Sequence, residues 1–441
     1  MKPPRTPPSL ESLMAGLEQK RFLELLTLNL PDDAYWHWDE LRHRQPPKGL
    51  TSEEWWLNLR LRRQTRAQLL PLTDARGRAF SWFLTDSMQF ILHKVDMGAG
   101  GRVGMPSQVT HHETRDQYYV NSLMEEAITS SQIEGAATTR EIARDMLRSQ
   151  RQPRDMSERM ILNNFLTMRQ LEHWKDQDLT PELIFEIHRS ITQDTLNDPS
   201  AAGRLRRPDE IVEVVDESTE EVLHMSPPAH LLPERLQSLC DFANQPEDSR
   251  PFIHPVVRGI LLHFWLAYDH PFQDGNGRTA RALFYWLMLR HDFWLFQFIS
   301  ISQIILRSRK AYGMAFLKTE TDNHDLNYFL LHQLQVIEQA IEALHGYIRR
   351  KTQELEEIGH IIKAVEEFNH RQQALLNRAL RHPGTIFTIE SHQNSHLVSY
   401  ATARADLLRL VERQLLNQRK RGKAFVFEAP ADLEMRLRQG S

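Results

Sequence analysis

From Val256 to Tyr268 apolar residues fall on every side of a helix: Val256, Val257, Ile260, Leu261, Leu262, Phe264, Trp265 and Leu266 leave no polar stripe. A helix that is apolar all round has to be enclosed, so this segment predicts a central helix inside a body large enough to cover it. The chain has the length for such a body, 441 residues, and at roughly 150 residues per domain that suggests two or three domains. Only 18 glycines are spread through it and the apolar spacing is mostly three and four, which predicts a mainly α fold. Thr180-Pro181-Glu182 reads as a helix start, a hydroxyl N-cap with proline at the first helical position, followed by Leu183, Ile184, Ile187 and Ile191 on one face. No Gly or Pro interrupts His112 to Glu134, so one helix is expected from about Glu113 until it runs out at Glu134-Gly135. The stretch Ile211 to Met225 breaks the helical pattern. Ile-Val-Glu-Val-Val, a polar Asp216-Glu217-Ser218-Thr219 and Val222-Leu223-His224-Met225 predict an inserted β-hairpin.

With 41% hydrophobic and 25% charged residues the composition is that of a globular chain rather than a disordered or fibrous one. Cys240 stands alone, which excludes an intrachain disulfide and a cysteine-based zinc cage. MKPPRTPPSLESL has no apolar leader core, and no apolar run reaches the length of a membrane span, so the expectation is a cytoplasmic protein with no membrane partner. The net charge of -4 hides an asymmetry: residues 371–428 carry ten Lys/Arg against four Asp/Glu, a local +6, leaving about -10 elsewhere.

One stretch concentrates chemistry: His270-Pro271-Phe272-Gln273-Asp274-Gly275-Asn276-Gly277-Arg278-Thr279-Ala280-Arg281, between the buried helix and another apolar helix expected to start near Thr279. Two glycines allow close backbone approach to a ligand, and a helix N-terminus presents N–H groups and a positive dipole end, which together suit phosphates. Arg278 and Arg281, three apart, share one helix face and can address one polyphosphate. Asp274 supplies a hard oxygen for Mg²⁺, which normally rides on nucleotide phosphates with one or two protein carboxylates. His270 can act as a general base near neutral pH. Read singly, these residues make a Gly-rich turn with surface arginines; read jointly, they make a phosphate site. His111, His112 and His263 lack the His-Glu-x-x-His spacing and are expected to be packed or solvated rather than metal ligands.

This stretch resembles the signature of the Fic (filamentation induced by cAMP) family, His-Pro-Phe-x-(Asp/Glu)-Gly-Asn-Gly-Arg-x-x-Arg, at every specified position. The resemblance implies a Fic-type helical bundle and transfer of AMP from ATP to a Ser, Thr or Tyr hydroxyl of a target protein. It implies His270 as the base, Asp274 as the Mg²⁺ ligand, the backbone of Gly275, Asn276 and Gly277 and the Asn276 side chain around the phosphates, and Arg278 and Arg281 as their clamps. A related Doc-type kinase has Lys where Gly277 stands, which favours nucleotidyl over phosphoryl transfer. Ser130-Ser131-Gln132-Ile133-Glu134-Gly135 resembles the family's inhibitory motif in Ser130, Glu134 and Gly135, and implies that Glu134 pairs with Arg281 and keeps ATP from its productive pose. The hairpin resembles the family's flap, with Ile211, Val212 and Val214 as the target-docking strand, Gly203-x-x-Arg206 as its lead-in and Pro227-Pro228 as its exit. Met225-Ser226 and Ala311-Tyr312-Gly313 depart from the usual pattern, and no adenine contact is assigned to the latter. Removal of AMP from a modified protein, with Glu134 aligning a water, is one alternative. A DNA-binding regulator with a nucleotide-sensing core is another, against which the intact His270 argues.

The expected organisation is an N-terminal helical region (1–110), a catalytic domain (111–345) that includes the inhibitory helix (about 113–135), a charged helical connector (346–370) and a C-terminal module (371–441). That module reads as helix 371–381, a short strand 385–390, a polar stretch, helix 399–414 and two strands about Arg419-Lys420-Arg421-Gly422-Lys423, and it resembles a winged helix. Its basic tip and Arg404 make DNA a partner to test, beside plain protein interaction or a homodimer. Tyr35-Trp36-His37-Trp38 and Trp55-Trp56 read as helix-packing anchors.

Overall fold

The computed structural model describes residues 2–97, 112–215, 220, 222–363, 368–381, 384–396, 398–421 and 424–439. They form two compact units, Met1–Leu344 and His345–Ser441. The first opens with α1 (Leu10–Met14), α2 (Gln19–Thr27), α3 (Trp38–Leu41), α4 (Ser52–Arg66), the hairpin β1 (Gln68–Thr73) with β2 (Ala79–Trp82), and α5 (Asp86–Val95). It continues with α6 (His112–Ile133), α7 (Arg140–Ser149), α8 (Met156–Trp174), α9 (Pro181–Thr192), β3 (Glu213–Val215), β4 (Val222–Met225) and α10 (Leu232–Ala243). Then come α11 (Pro255–Asp269), α12 (Asn276–Arg290), α13 (Ile301–Arg307), α14 (Arg309–Thr321) and the part of α15 (Asn327–Lys363) up to Leu344. The mainly helical expectation holds, and among the described residues no helix is long and apolar enough to cross a membrane.

The apolar segment is α11, and it is the centre of the core: Val256, Val257, Leu262, Phe264 and Leu266 are fully buried. Its partner is α12, whose Leu283, Trp286, Leu287 and Met288 are fully buried too. Each such side chain withdrawn from water contributes on the order of 2 kcal/mol. The two helices lie close because Gly259 has no side chain; a Cβ there would stand 2.8 Å from Met288 Cε and 3.1 Å from Phe284 Cδ2. The chain enters α9 as expected, with the Thr180 hydroxyl accepting from Leu183 N and Pro181 at the first position. α12 begins at Asn276, three residues before the expected start.

α6 begins at His112 and ends at Ile133, within one residue of the expected helix. It is fixed by a buried carboxylate. Glu126 Oε2 accepts from Tyr285 Oη (2.9 Å), Ser300 Oγ (2.8 Å) and Ser302 N (3.0 Å), and Oε1 accepts from Ser302 Oγ, which ties α6 to α12 and to the start of α13. At the outer face Glu125 pairs with Arg140 and Arg144.

The N-terminal residues expected as a region of their own are part of this first unit. Arg63, buried, binds Asp32 and donates to Tyr328 Oη (3.0 Å); Tyr35 Oη donates to Asp325 Oδ2 (2.6 Å); Phe80 packs edge-on against Phe264 and Tyr268. The aromatic pairs are indeed packing anchors, with Trp55 and Trp56 buried against Trp38 and Leu41.

The hairpin is present but shorter than the alternation suggested. β3 pairs antiparallel with β4, Glu213 opposite Met225, Val214 opposite His224 and Val215 opposite Val222. Ile211 and Val212 precede the strand, and the turn residues 216–219 and 221 lie outside the described residues.

The second unit contains α16 (His370–Arg381), β5 (Ile386–Thr388), α17 (Ile389–His396), α18 (Tyr400–Glu412), β6 (Asn417–Arg421), β7 (Ala424–Glu428) and α19 (Leu433–Gln439), with sheet order β5-β7-β6. The stretch expected to be merely polar is the helix α17; its buried face is only Ile389 and His392, too few apolar residues to show a period. Asp406 is buried and accepts from Arg371, Asn369 and His392, which knits α16, α17 and α18 together. Of the expected basic tip, Arg419-Lys420-Arg421 end β6, while Gly422-Lys423 and residues 364–367 of the connector lie outside the described residues.

The anchoring of α6 by Glu126 yields a stability prediction. Glu126→Ala strands several buried donors and is expected to lower the unfolding free energy by about 3 kcal/mol, with Glu126→Gln losing less. Urea denaturation reads it; an unchanged midpoint in Glu126→Ala contradicts the anchor.

Candidate active site

α11 ends at His270, whose backbone sits in the left-handed region (φ 47°, ψ 55°). A non-glycine residue there stores on the order of 1 kcal/mol of strain and has to be held. Three bonds hold it. His270 N donates to Leu266 O (3.0 Å), Nδ1 pairs with Ala267 O (2.9 Å), and the His270 carbonyl accepts from Arg206 Nε (2.9 Å). Because a carbonyl can only accept, Nδ1 carries the proton and Nε2 keeps its lone pair. Burial lowers the His270 pKa from the ordinary imidazole value, so the ring is neutral near pH 7.

The loop that follows is rigid by construction. Asn276 closes it on itself, Oδ1 accepting from Phe272 N (2.9 Å) and Nδ2 donating to Phe272 O (2.8 Å). Oδ1 and one N–H of that amide are engaged by backbone, so only its second N–H is left for the phosphates around which the Asn276 side chain is expected. Beneath lies His188, fully buried, stacked on Phe272 at 3.8 Å and 8°. Its Nδ1 accepts from Gly203 N (2.9 Å) and its Nε2 donates to Asp274 O (2.8 Å), so the tautomer is fixed. Burial pushes its pKa down to about 4, and the ring stays a neutral strut. Gly275 (φ 81°) turns the chain into α12 where a Cβ would strike Thr192 Cγ2 at 2.6 Å. The Asp274 carboxylate is 55% exposed at the mouth, with Oδ2 3.6 Å from Arg278 Nη2.

The opening of α12 gathers positive charge. Its first N–H groups have no intrahelical acceptor, and the dipole end adds to them. Arg278 and Arg281 lie behind, each only 1% exposed. Among the described residues Arg278 Nε and Nη2 and Arg281 Nη1 have no hydrogen-bond partner. Buried donors left open are costly unless something anionic meets them, so the site is suited to a polyanion. Burial lowers the Arg278 pKa; for Arg281 the same burial is outweighed by Glu134, Tyr312 and Glu126 together, and its pKa moves upward.

The end of α6 meets Arg281. Its Nε donates to Ser130 Oγ (2.8 Å), and its Nη2 donates to Ser130 O (3.0 Å) and Glu134 Oε1 (2.8 Å). Gly135 (φ 96°) terminates the helix, and Arg309 donates to the Ile133 carbonyl. Glu134 lies over the start of α12 so closely that a Cβ on Gly277 would stand 2.2 Å from its Oε1. Burial favours the protonated acid, but Arg281, Arg278 and His270 together hold Glu134 below the usual carboxylate range, hence ionised.

His270, Asp274, Gly275, Asn276, Gly277, Arg278, Arg281, Ser130, Glu134 and Gly135 therefore lie together where the loop and the start of α12 meet the end of α6. Ile211 and Val214 are solvent-facing (77% and 38% exposed) on the flap, whose exit is tied back through Arg206 to Pro227 O. His263 is buried in α11 and pairs with Tyr312 Oη (2.8 Å), a packed histidine as expected, whereas His111 lies outside the described residues. Among the described residues no three His, Cys, Asp or Glu cluster as a metal cage. A lone exposed carboxylate beside open arginine donors fits a metal that arrives on nucleotide phosphates. Sequence reading missed His188; a histidine among Ile184, Ile187 and Ile191 on a buried face was the available signal.

Residues 178–288 match the Fic/DOC family. The protein adenylyltransferase Fic of Nematostella vectensis is 28% identical over 171 residues, covering 38% of this chain and 35% of that protein. The protein adenylyltransferase fic-1 of Caenorhabditis elegans is 35% identical over 111 residues, 25% of this chain and 19% of that protein. The chain thus spans about a third of the first relative's length and about a fifth of the second's. Among solved structures, a Fic family protein from Desulfovibrio desulfuricans G20 superposes with a TM-score of 0.53 at 18% identity over 79% of this chain and 97% of its own. Fic-1 from C. elegans gives 0.50 at 19% over 78% and 92%. Residues 178–288, from the lead-in of α9 through most of α12, are a Fic domain.

Proposed function

We propose that this chain is a protein adenylyltransferase that moves AMP from ATP to a hydroxyl of a target protein, restrained by its own Glu134. The observation that carries the reading is His270, neutral with Nε2 free, at the mouth of a cleft floored by two buried arginines with open donors. The target hydroxyl attacks the α-phosphorus; a new P–O bond forms, the α–β bridging P–O bond breaks, and the hydroxyl proton passes to His270 Nε2. Arg278, Arg281 and the first N–H groups of α12 hold the phosphates, mainly by charge and position. Asp274 would hold Mg²⁺, which when bound neutralises charge on the departing pyrophosphate. Gly277 leaves room at the helix start, where the side chain of a lysine would collide with Glu134. The flap's exposed Ile211 and Val214 and its open β3 edge support docking of an extended target segment by strand addition.

Restraint follows from the same charges. Glu134 takes the Arg281 donor that a terminal phosphate needs, and a carboxylate over Gly277 occupies the anion seat.

The second unit is read as a winged helix on its own evidence. The order α16, β5, α17, α18 and the β6–β7 hairpin supports that fold, with α18 as the groove-entering helix. Tyr400 (57% exposed) and Arg404 lie on the open face of α18, and β6 presents Arg419 and Lys420. These residues suit duplex DNA, contacted mainly at phosphates.

Two experiments test these readings. With α-labelled ATP and cell lysate, Glu134→Gly is expected to label a protein at least tenfold more than wild type, and Glu134→Gly with His270→Ala to fall by about 10²–10⁴; labelling that survives loss of His270 contradicts the mechanism, and release of AMP from labelled protein by wild type identifies the reverse activity. For the second unit, binding of the full chain to random duplex across a salt series is expected to weaken steeply, with Arg404→Ala and Lys420→Ala each reducing the slope by about one; salt-independent binding or none contradicts DNA as partner.

A further inference from the structure

β4 places His224 opposite Val214 in the flap, with its side chain turned inward and 8% exposed. Both ring nitrogens have partners. Nδ1 lies 2.9 Å from Glu320 Oε2 on α14, and Nε2 lies 2.8 Å from the carbonyl of Tyr268 in the last turn of α11. A carboxylate and a carbonyl are both acceptors, so the geometry is satisfied in full only when the ring carries a proton on each nitrogen. The Tyr268 carbonyl belongs to a helix C-terminus, where a cation is favoured by the dipole. The ring also packs at 4.7 Å against the Tyr268 side chain.

We propose that His224 is a positioning residue of the adenylyl transfer: an imidazolium pinned between Glu320 and the Tyr268 carbonyl, tying the flap strand to the end of α11 and setting positive charge beside His270. The inference rests on the reading of His270 as the base. Its first consequence is mechanical. One residue, Asp269, separates Tyr268 from His270, so the flap and the base are referenced to the same turn of helix, and the docked hydroxyl is presented to Nε2 in one register. The second is electrostatic. His270 is acted on by His224 and Arg206, which favour its neutral form, and by Glu134, which favours its protonated form. His224 faces Glu320, Asp269, Tyr268 and His270; Asp269 is itself engaged by Arg235 and by Trp265 Nε1.

Burial works to lower the His224 pKa, but Glu320, helped by the Tyr268 carbonyl and Asp269, raises it above the ordinary imidazole value. With a raised folded-state pKa, the tether is fully present below about pH 6.5 and is lost as pH rises through the raised value. A neutral His224 keeps one bond and releases the other, so flap anchoring weakens on the alkaline side.

Ring resonances of the full chain labelled in histidine, titrated from pH 5.5 to 9.5 and assigned with His224→Gln and His270→Gln, test this without turnover. His224 is expected to remain doubly protonated at pH 7.5, Glu320→Gln to lower its midpoint by about one unit or more, and His224→Gln to raise the midpoint of His270. In the Glu134→Gly background the acid limb of the pH–rate profile then moves upward with His224→Gln, and KM for the protein target rises severalfold. A His224 ring with one bare nitrogen at pH 7.5, or a His270 midpoint that His224→Gln leaves in place, overturns the inference. Should His224→Gln fold poorly, Glu320→Gln supplies the same comparison with the histidine retained. The two readings fail separately: an enzyme that transfers no AMP leaves the ring titration intact, whereas an active Glu134→Gly enzyme whose acid limb ignores His224→Gln contradicts this proposal alone.

Discussion

A guanidinium buried to 1% exposure is costly without an anion, and in this protein Arg281 has Glu134. The pair determines much of what surrounds it. It sets the end of α6 over the start of α12 and fits Gly277, since a Cβ there would stand 2.2 Å from the carboxylate oxygen as it now lies. It uses Ser130 twice, through hydroxyl and carbonyl. Breaking such a buried pair from one side costs about 3–5 kcal/mol, because the surviving charge is stranded. A ligand that brings its own negative charge changes that balance: it can take over Arg281 and leave Glu134 free to turn toward solvent, to which it is already a quarter exposed. Inhibition, as proposed above, is competition between two anions for one buried cation.

In the proposed reading that competition happens beside His270, and the surrounding groups fix its place. His270 is held in a left-handed turn by Leu266, Ala267 and Arg206, and the same Arg206 secures the exit of the flap at Pro227. His188 and Asn276 brace the loop from below, one by a stack on Phe272 and a bond to the Asp274 carbonyl, the other by closing both polar groups of Phe272. The N-terminal hairpin reaches the same helix end. Thr73 O accepts from Arg235, which binds Asp269, and Phe80 packs on Tyr268. These groups decide where His270 and the arginines are.

What could be read from the sequence is what local chemistry dictates. The twelve residues from His270 to Arg281 carry glycines, arginines and a base in fixed order, so the site was legible there. The apolar ring of α11, the Thr180 cap and the run without Gly or Pro into Glu134 gave their helices within a few residues. Illegible were the side chains whose meaning is tertiary. Glu126 and His224 look like ordinary polar residues until the fold brings Ser302 to one and Glu320 to the other. Asn276 belongs to a phosphate signature and yet turns inward. α17 has too few apolar residues to show a period, and the packing of the N-terminal residues on α11 depends on Arg63 and Phe80 finding partners more than 180 residues away.

Competition for Arg281 is measured most directly by calorimetric titration of Mg·ATP into wild type, Glu134→Gly, and Glu134→Gly with Arg281→Ala. Affinity is predicted to rise by about tenfold when Glu134 is removed, equivalent to about 1.4 kcal/mol, and to lose that gain when Arg281 is removed as well. Equal affinity in wild type and Glu134→Gly, or a gain that persists without Arg281, would contradict the claim that the carboxylate and the nucleotide contend for the same buried charge.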